Sequence, residues 1–133
     1  MNQTSLQRQS SIAAAFRVII VCTAIVFLFA AALHTGAFGV PQLVPAMIVE
    51  GACGIGFVFL IFAVFTRQTW AQTAAITVHI VAVVGVLAGF TALVRSPGLD
   101  TPINVALHVV MIVLLVAGLS LIAIPGTRET LHR

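Results

Sequence analysis

The stretch VEGACGIG, residues 49–56, lies inside a long apolar run and decides how this chain folds. It places a carboxylate, Glu50, where a lipid bilayer would have to solvate it, at a cost of about 2.5–3.5 kcal/mol on insertion scales. Such a group normally faces protein or water. Gly51, Gly54 and Gly56 follow it and allow another backbone to approach closely. The stretch therefore predicts the face of a membrane helix on which the other helices assemble.

The composition of the whole chain also indicates a membrane protein. Of its 133 residues, 61% are hydrophobic and only 7% are charged, a balance that would give a water-soluble domain a continuous sticky surface. All six basic residues are arginines that stand singly rather than in a cluster, which argues against a nucleic-acid-binding patch. We therefore expect the lipid bilayer to be the solvent of this chain and nucleic acid not to be a partner.

The chain contains four long apolar runs, and this stretch lies in the second of them. They predict membrane helices over residues 12–34, 44–65, 70–94 and 102–124, within one all-α domain that covers residues 1–133. The short loops between these spans favour an antiparallel four-helix bundle. Residues 1–11 are expected to form a polar tail, either interfacial or disordered.

The arginines predict the orientation of this bundle. Arg95 falls alone on one side of the membrane. The others fall on or near the opposite side: Arg8, Arg17, Arg67, Arg128 and Arg133. Because loops rich in arginine and lysine stay on the cytoplasmic side, both termini are expected in the cytoplasm.

Two ionisable groups within the predicted spans are candidates for a site. Counted from the middle of their spans at 1.5 Å per residue, Glu50 and His108 each lie about 7–8 Å to the outer side of the midplane. They could therefore pair across the bundle, with Asn104 extending the network from one helical turn away. The pair could be a structural hydrogen bond that fixes helix register, or part of a site that binds a ligand or handles protons.

The remaining histidines and the cysteines give no metal or haem signature. His79 is expected on the cytoplasmic side, about 12 Å from His108 along the membrane normal, whereas a bis-histidine haem needs two ligands at similar depth. His34 is expected further out, near the interface. Cys22 and Cys53 fit no metal spacing and are expected to behave as small apolar residues. The sequence thus predicts no cofactor: no metal spacing occurs, the histidines do not suit haem, and a bound quinone stays an open alternative.

A stripe of small residues on the third span predicts a helix contact. It includes the G-x-x-x-G pair Gly85 and Gly89, a spacing that lets two helices approach closely in lipid. The contact could lie within the bundle or between the subunits of a homo-oligomer.

Several short motifs resemble those of the DoxX-like family of small four-helix bacterial membrane proteins. They are the end of the first span (FLFAAALHTG), the VEGACGIG core, the turn Thr66-Arg67 and the exit Pro125-Gly126-Thr127-Arg128. The family commonly shows Leu-His-Gly at the end of its first helix and Val-Glu followed by glycines in its second, and His34 and Glu50 occupy those places here. Thr35 is inserted before the glycine, and the usual basic residue after the histidine is absent.

The resemblance implies a place in the bacterial inner membrane and in redox or thiol-stress assemblies, sometimes beside quinone-linked enzymes. It favours an accessory or anchoring subunit, with a membrane or cytoplasmic redox protein as partner and without catalytic activity of its own. Two alternatives stay open. One is a binder of a quinone or lipid-like ligand at Glu50 and His108, and the other is a small proton-coupled transporter.

Overall fold

The computed structural model of the chain describes residues 3–37, 39, 41–95, 98, 101–124 and 127. This part of the chain contains four helices and no strand: α1 (Gln3–Leu33), α2 (Val44–Phe65), α3 (Ala71–Arg95) and α4 (Pro102–Ala123). All four are long and apolar enough to cross a membrane. The prediction of an all-helical chain with four candidate membrane spans is therefore confirmed.

The first helix begins well before the predicted span. Of the two alternatives for the polar tail, disorder is wrong for residues 3–11, because α1 already starts at Gln3. This segment has no proline or glycine, and the hydroxyls of Ser10 and Ser11 donate to the Gln7 carbonyl at 2.8 and 3.0 Å without interrupting the helix. Hydropathy marks the apolar part of a helix, which here starts at Ile12, and not its first turns.

The turn between α2 and α3 ends α2 in a regular way. The Gln68 N–H donates to the Ala63 carbonyl at 2.8 Å, and the Arg67 N–H donates to the Val64 carbonyl at 3.4 Å. These two bonds are those of a Schellman motif, whose central residue adopts a left-handed conformation. Arg67 occupies that position with φ +56°, so the chain reverses within a few residues although no glycine is present.

Four buried aromatic rings form a column inside the helices. Phe27 stacks on Phe57 with centroids 5.8 Å apart, Phe57 meets the edge of His79 at 5.0 Å, and His79 stacks on Phe16 at 6.1 Å. All four side chains are fully buried. We call this set the aromatic column. Phe16 and Phe27 are eleven residues apart on α1, so the column extends for about 16 Å.

The histidines of α3 and α4 each pack on a glycine of the other helix. His79 lies so close to Gly118 that a β-carbon on this glycine would collide with the imidazole Nε2. His108 lies against Gly89 in the same way, and a β-carbon there would be 3.1 Å from Nε2. In both helices the glycine follows the histidine by ten residues. The two contacts therefore fix how α3 and α4 are positioned along one another.

The two ends of the helix assembly differ in character. At one end, which we call the His34 end, α1 finishes and α2 begins. The other, the Arg67 end, carries the α2–α3 turn. There the guanidinium of Arg17 lies 5.5 Å from the centroid of the Phe65 ring, a distance at which a cation is attracted to the ring face.

Candidate functional site

A buried hydrogen bond joins α1 and α2 at the His34 end. His34 Nδ1 and Glu50 Oε2 are 2.7 Å apart, and the two residues are 1% and 5% exposed. His34 directly follows the last residue of α1. The loop then returns to it, because the Leu43 N–H donates to the His34 carbonyl at 3.1 Å. The start of α2 is thereby held beside His34.

Helix geometry directs Glu50 toward this histidine. Glu50 comes seven residues after Leu43, which is about 10 Å along the helix axis. Side chains in a helix tilt toward its N-terminus, so the Glu50 carboxylate points back toward the His34 end. The two long side chains together cover the distance between their backbones.

This pairing corrects the predicted partner of Glu50. Glu50 was expected to pair with His108, and His34 was expected near the interface, whereas the hydrogen bond found in the described part of the chain joins Glu50 to His34. The depth of each residue was counted along its own span. This count ignores the loop after α1, which folds back so that Leu43 bonds to His34. The signal that could have identified the pair was the presence of both residues in the short motifs that resemble those of the DoxX-like family.

His108 makes its own local hydrogen bond. Its Nδ1 lies 2.9 Å from the carbonyl oxygen of Asn104, one turn earlier on α4. Both residues are buried. Asn104 in turn is placed by the start of the helix, where Thr101 Oγ1 accepts from its N–H at 3.4 Å. The backbone carbonyl of Asn104 thus orients the His108 ring.

Glu50, His34 and His108 meet at one cavity. Its volume is about 400 Å³, and it lies at the His34 end with walls from all four helices. These three residues are the polar side chains of its lining. The other lining residues are apolar or small: Phe27, Leu43, Pro45, Ala46, Val49, Gly85, Val86, Ala88, Gly89, Ala92 and Leu93. The structure therefore brings Glu50 and His108 into one site, although they are not bonded to each other.

The glycines of α3 form part of the cavity wall. Gly85 faces α2, and a β-carbon there would lie 3.0 Å from Val49. Gly89 faces His108 of α4. Because neither carries a side chain, the space between α2, α3 and α4 stays open at this level. The small-residue stripe thus both contacts neighbouring helices and leaves room for the cavity.

The glycines of α2 lie at helix contacts instead. A β-carbon on Gly54 would lie 2.7 Å from Leu28 of α1, and one on Gly51 would lie 3.8 Å from Ala31. Gly56 faces Val78 of α3, at 3.6 Å by the same measure. These three glycines set the spacing of α2 from its two neighbours and do not line the cavity.

His79 and the cysteines lie apart from this site. His79 belongs to the aromatic column, and its contact Gly118 is about 15 Å along α4 from His108. Cys22 is exposed and Cys53 is buried, and both thiols are free. No group of three potential metal ligands occurs among the described residues.

The resemblance to the DoxX-like family continues to rest on sequence motifs. His34, Glu50 and the Thr66-Arg67 turn lie in the described structure, whereas Pro125, Gly126 and Arg128 of the exit motif lie outside the described residues. Membership in this family therefore stays a prediction. No protein-family model, no curated protein and no solved structure matches the chain.

Proposed function

We propose that this protein binds a lipid-soluble small molecule with a polar head group, such as a quinone, in the cavity at the His34 end. The observation that carries the proposal is the cavity itself, which is apolar except for His34, Glu50 and His108. Small-molecule sites commonly have volumes of roughly 300–1,000 Å³ and combine apolar walls with a few convergent polar groups. A cavity of about 400 Å³ falls in this range.

The polar groups are costly to bury, and a ligand would make use of them. Within the described residues, Nε2 of His34 is buried and has no hydrogen-bond partner. A buried polar atom without a partner typically costs about 1–3 kcal/mol. A head group that supplies the missing hydrogen bond would offset this cost, while an apolar tail would contact the walls or extend into lipid.

We further propose an antiparallel four-helix bundle in the inner membrane with both termini in the cytoplasm. Reversed contact order along consecutive helices supports the antiparallel part: Ala31 and Leu28 of α1 face Gly51 and Gly54 of α2, respectively. The pairs His79–Gly118 and Gly89–His108 follow the same rule between α3 and α4. The arginine distribution supports the orientation, which places the cavity in the outer half of the membrane.

The proposed binding function is compatible with the accessory role in a redox complex that the family resemblance implies. A membrane subunit that holds a quinone near a partner enzyme needs packing surfaces and a binding site but no reaction of its own. The proposal accordingly assigns no catalytic step to this chain.

The test is ligand-dependent stabilisation of the purified protein in mild detergent. A benzoquinone with a decyl chain is tested in both its quinone and its quinol form. The form that binds, added at 100 times its dissociation constant, should raise the free energy of unfolding by about 2.7 kcal/mol, read as a rise in Tm. Ala46→Leu, which places a larger side chain at the cavity wall, should abolish the rise.

Ala52→Leu is the matched control. Ala52 lies on the same helix but is exposed and does not line the cavity, so this variant should keep the wild-type response. Equal stabilisation of both variants would place the ligand elsewhere. No stabilisation of the wild type would remove the basis of the proposed function.

A further inference from the structure

We propose that the cavity selects a head group that donates hydrogen bonds, such as the hydroxyl of a phenol or a quinol, over one that only accepts them. This inference rests on the proposed binding function and specifies the chemistry of the ligand. It follows from the hydrogen that His108 Nδ1 carries, from the cavity that His108 lines, and from Nε2 of His34, which has no hydrogen-bond partner.

The first step concerns the hydrogen on the His108 ring. Nδ1 lies 2.9 Å from the Asn104 carbonyl oxygen, and a carbonyl can only accept, so Nδ1 carries the hydrogen. In a neutral imidazole with one nitrogen protonated, the other presents a lone pair. His108 Nε2 is therefore an acceptor in the neutral ring, and its best partner is a donor.

The second step concerns access to that lone pair. Nε2 is the His108 atom nearest to Gly89, since a β-carbon on this glycine would lie 3.1 Å from it. Gly89 and His108 both line the cavity. Gly89 packs closely on this nitrogen, as Gly118 does on His79, so access comes from the cavity that His108 lines and not from the missing side chain.

The third step concerns His34. Its Nδ1 is held by Glu50 at 2.7 Å, which leaves Nε2 as the atom without a partner. A hydroxyl can donate to this nitrogen when it bears a lone pair and accept from it when it bears a hydrogen. A hydroxylated head group therefore satisfies His34 in either protonation state, whereas a quinone carbonyl satisfies neither His108 nor a neutral His34 that donates to Glu50.

His79 provides an internal comparison. Its Nδ1 lies 2.7 Å from the Ala75 carbonyl oxygen, and its Nε2 faces Gly118 as His108 Nε2 faces Gly89. However, its ring is enclosed by Phe16 and Phe57 and does not line the cavity. Both histidines thus bond through Nδ1 to the carbonyl four residues earlier and pack on a glycine. Of the two, His108 is the one that lines the cavity.

The test compares two redox-inert probes, 4-nonylphenol and its methyl ether, which share ring and chain but differ in the donor. In the wild-type protein the phenol should bind about tenfold more tightly, as expected for one hydrogen bond to a buried acceptor. His108→Phe keeps a ring and removes this acceptor, so the preference should fall well below tenfold, and any remainder reports donation to His34 Nε2. His79→Phe should retain the tenfold preference.

A second measurement uses the unmodified protein with ¹⁵N-labelled histidine. The His108 Nε2 resonance should shift on addition of the phenol and not of the ether, and the His79 resonances should stay in place. Equal affinity for the two probes would overturn the inference while leaving the proposed function intact, provided that Ala46→Leu abolishes both. A tenfold preference that persists in His108→Phe would overturn the role of His108. Failure of both probes to bind the wild type would overturn the inference together with the proposed function.

Discussion

His34 and Glu50 share a short hydrogen bond in a region where both side chains are almost fully buried. Removing either partner leaves the other polar group buried and unpaired, whereas removing both leaves an apolar contact. The two residues should therefore behave as one unit. This unit also ties the end of α1 to α2 beside the cavity, so its loss affects the shape of the site as well as its polarity.

We expect His34→Leu and Glu50→Leu each to lower the free energy of unfolding by about 1–3 kcal/mol. The double variant should recover part of the loss, with a coupling energy in the range of about 0.5–3 kcal/mol. The measurement is unfolding in detergent across the double-mutant cycle. A parallel cycle of Glu50→Leu with His108→Leu should give the smaller coupling. Additive effects for the His34 cycle would show that the hydrogen bond contributes little.

Single residues also show where prediction from the sequence succeeds and where it stops. The burial cost of Glu50 in lipid singled it out as a candidate site residue, and the structure places it on the cavity wall with His108. Its partner His34 was missed, because the return of the loop depends on a backbone hydrogen bond between Leu43 and His34. The spacing of apolar residues in the sequence does not indicate a backbone hydrogen bond of this kind.

At the scale of the helices, α3 and α4 are positioned by two histidines that pack on glycines. At Gly118 the fit leaves no space, because a β-carbon would collide with His79. The imidazole cannot easily move away, since Phe16 and Phe57 lie beside it. This contact should therefore be intolerant of even one added methyl group.

Gly118→Ala is expected to destabilise the protein by about 1–3 kcal/mol, the usual cost of overpacking a core. Gly56→Ala is the matched control: its β-carbon would be 3.6 Å from Val78, an ordinary contact, and alanine is favoured over glycine in a helix by up to about 1 kcal/mol. Thermal unfolding in detergent measures both. His79→Ala should relieve the cost of Gly118→Ala. An equal effect of the two glycine substitutions would contradict the contact.

The bounds of α2, α3 and α4 lie within one residue of the predicted spans, because these helices begin or end near a proline or a polar turn that is visible in the sequence. The first turns of α1 have no such boundary. The pairing of His79 with Gly118 could not be predicted either, since it depends on how far one helix is shifted along the other. Small residues at helical spacing predict a contact but do not identify the partner.

At the scale of the whole molecule, the four apolar helices and the single arginine at the end of α3, Arg95, predict a defined orientation. Gly98 lies in the loop between these helices and has φ +85°, a conformation that glycine adopts readily. An insertion at Gly98 lies between the end of α3 at Arg95 and the start of α4 at Pro102, so it interrupts neither helix. The C-terminus is expected on the other side of the membrane.

Reporter fusions at Gly98 and after Arg133 should report opposite sides, with the C-terminal fusion cytoplasmic. An alkaline phosphatase reporter, active outside, and a fluorescent protein reporter, active inside, give complementary readouts at each position. Both positions on one side would exclude the four-span topology. The cavity itself could not have been predicted at this scale, because an unfilled volume depends on how all four helices pack together.

The aromatic column and the cavity lie at different levels of the helix assembly and share one side chain. Phe27 is the ring of this column nearest the His34 end, and it also lines the cavity. The cavity therefore ends where the stacked rings begin. Phe27 therefore couples the two features, because a smaller side chain at this position would both enlarge the cavity and remove the first ring of the column.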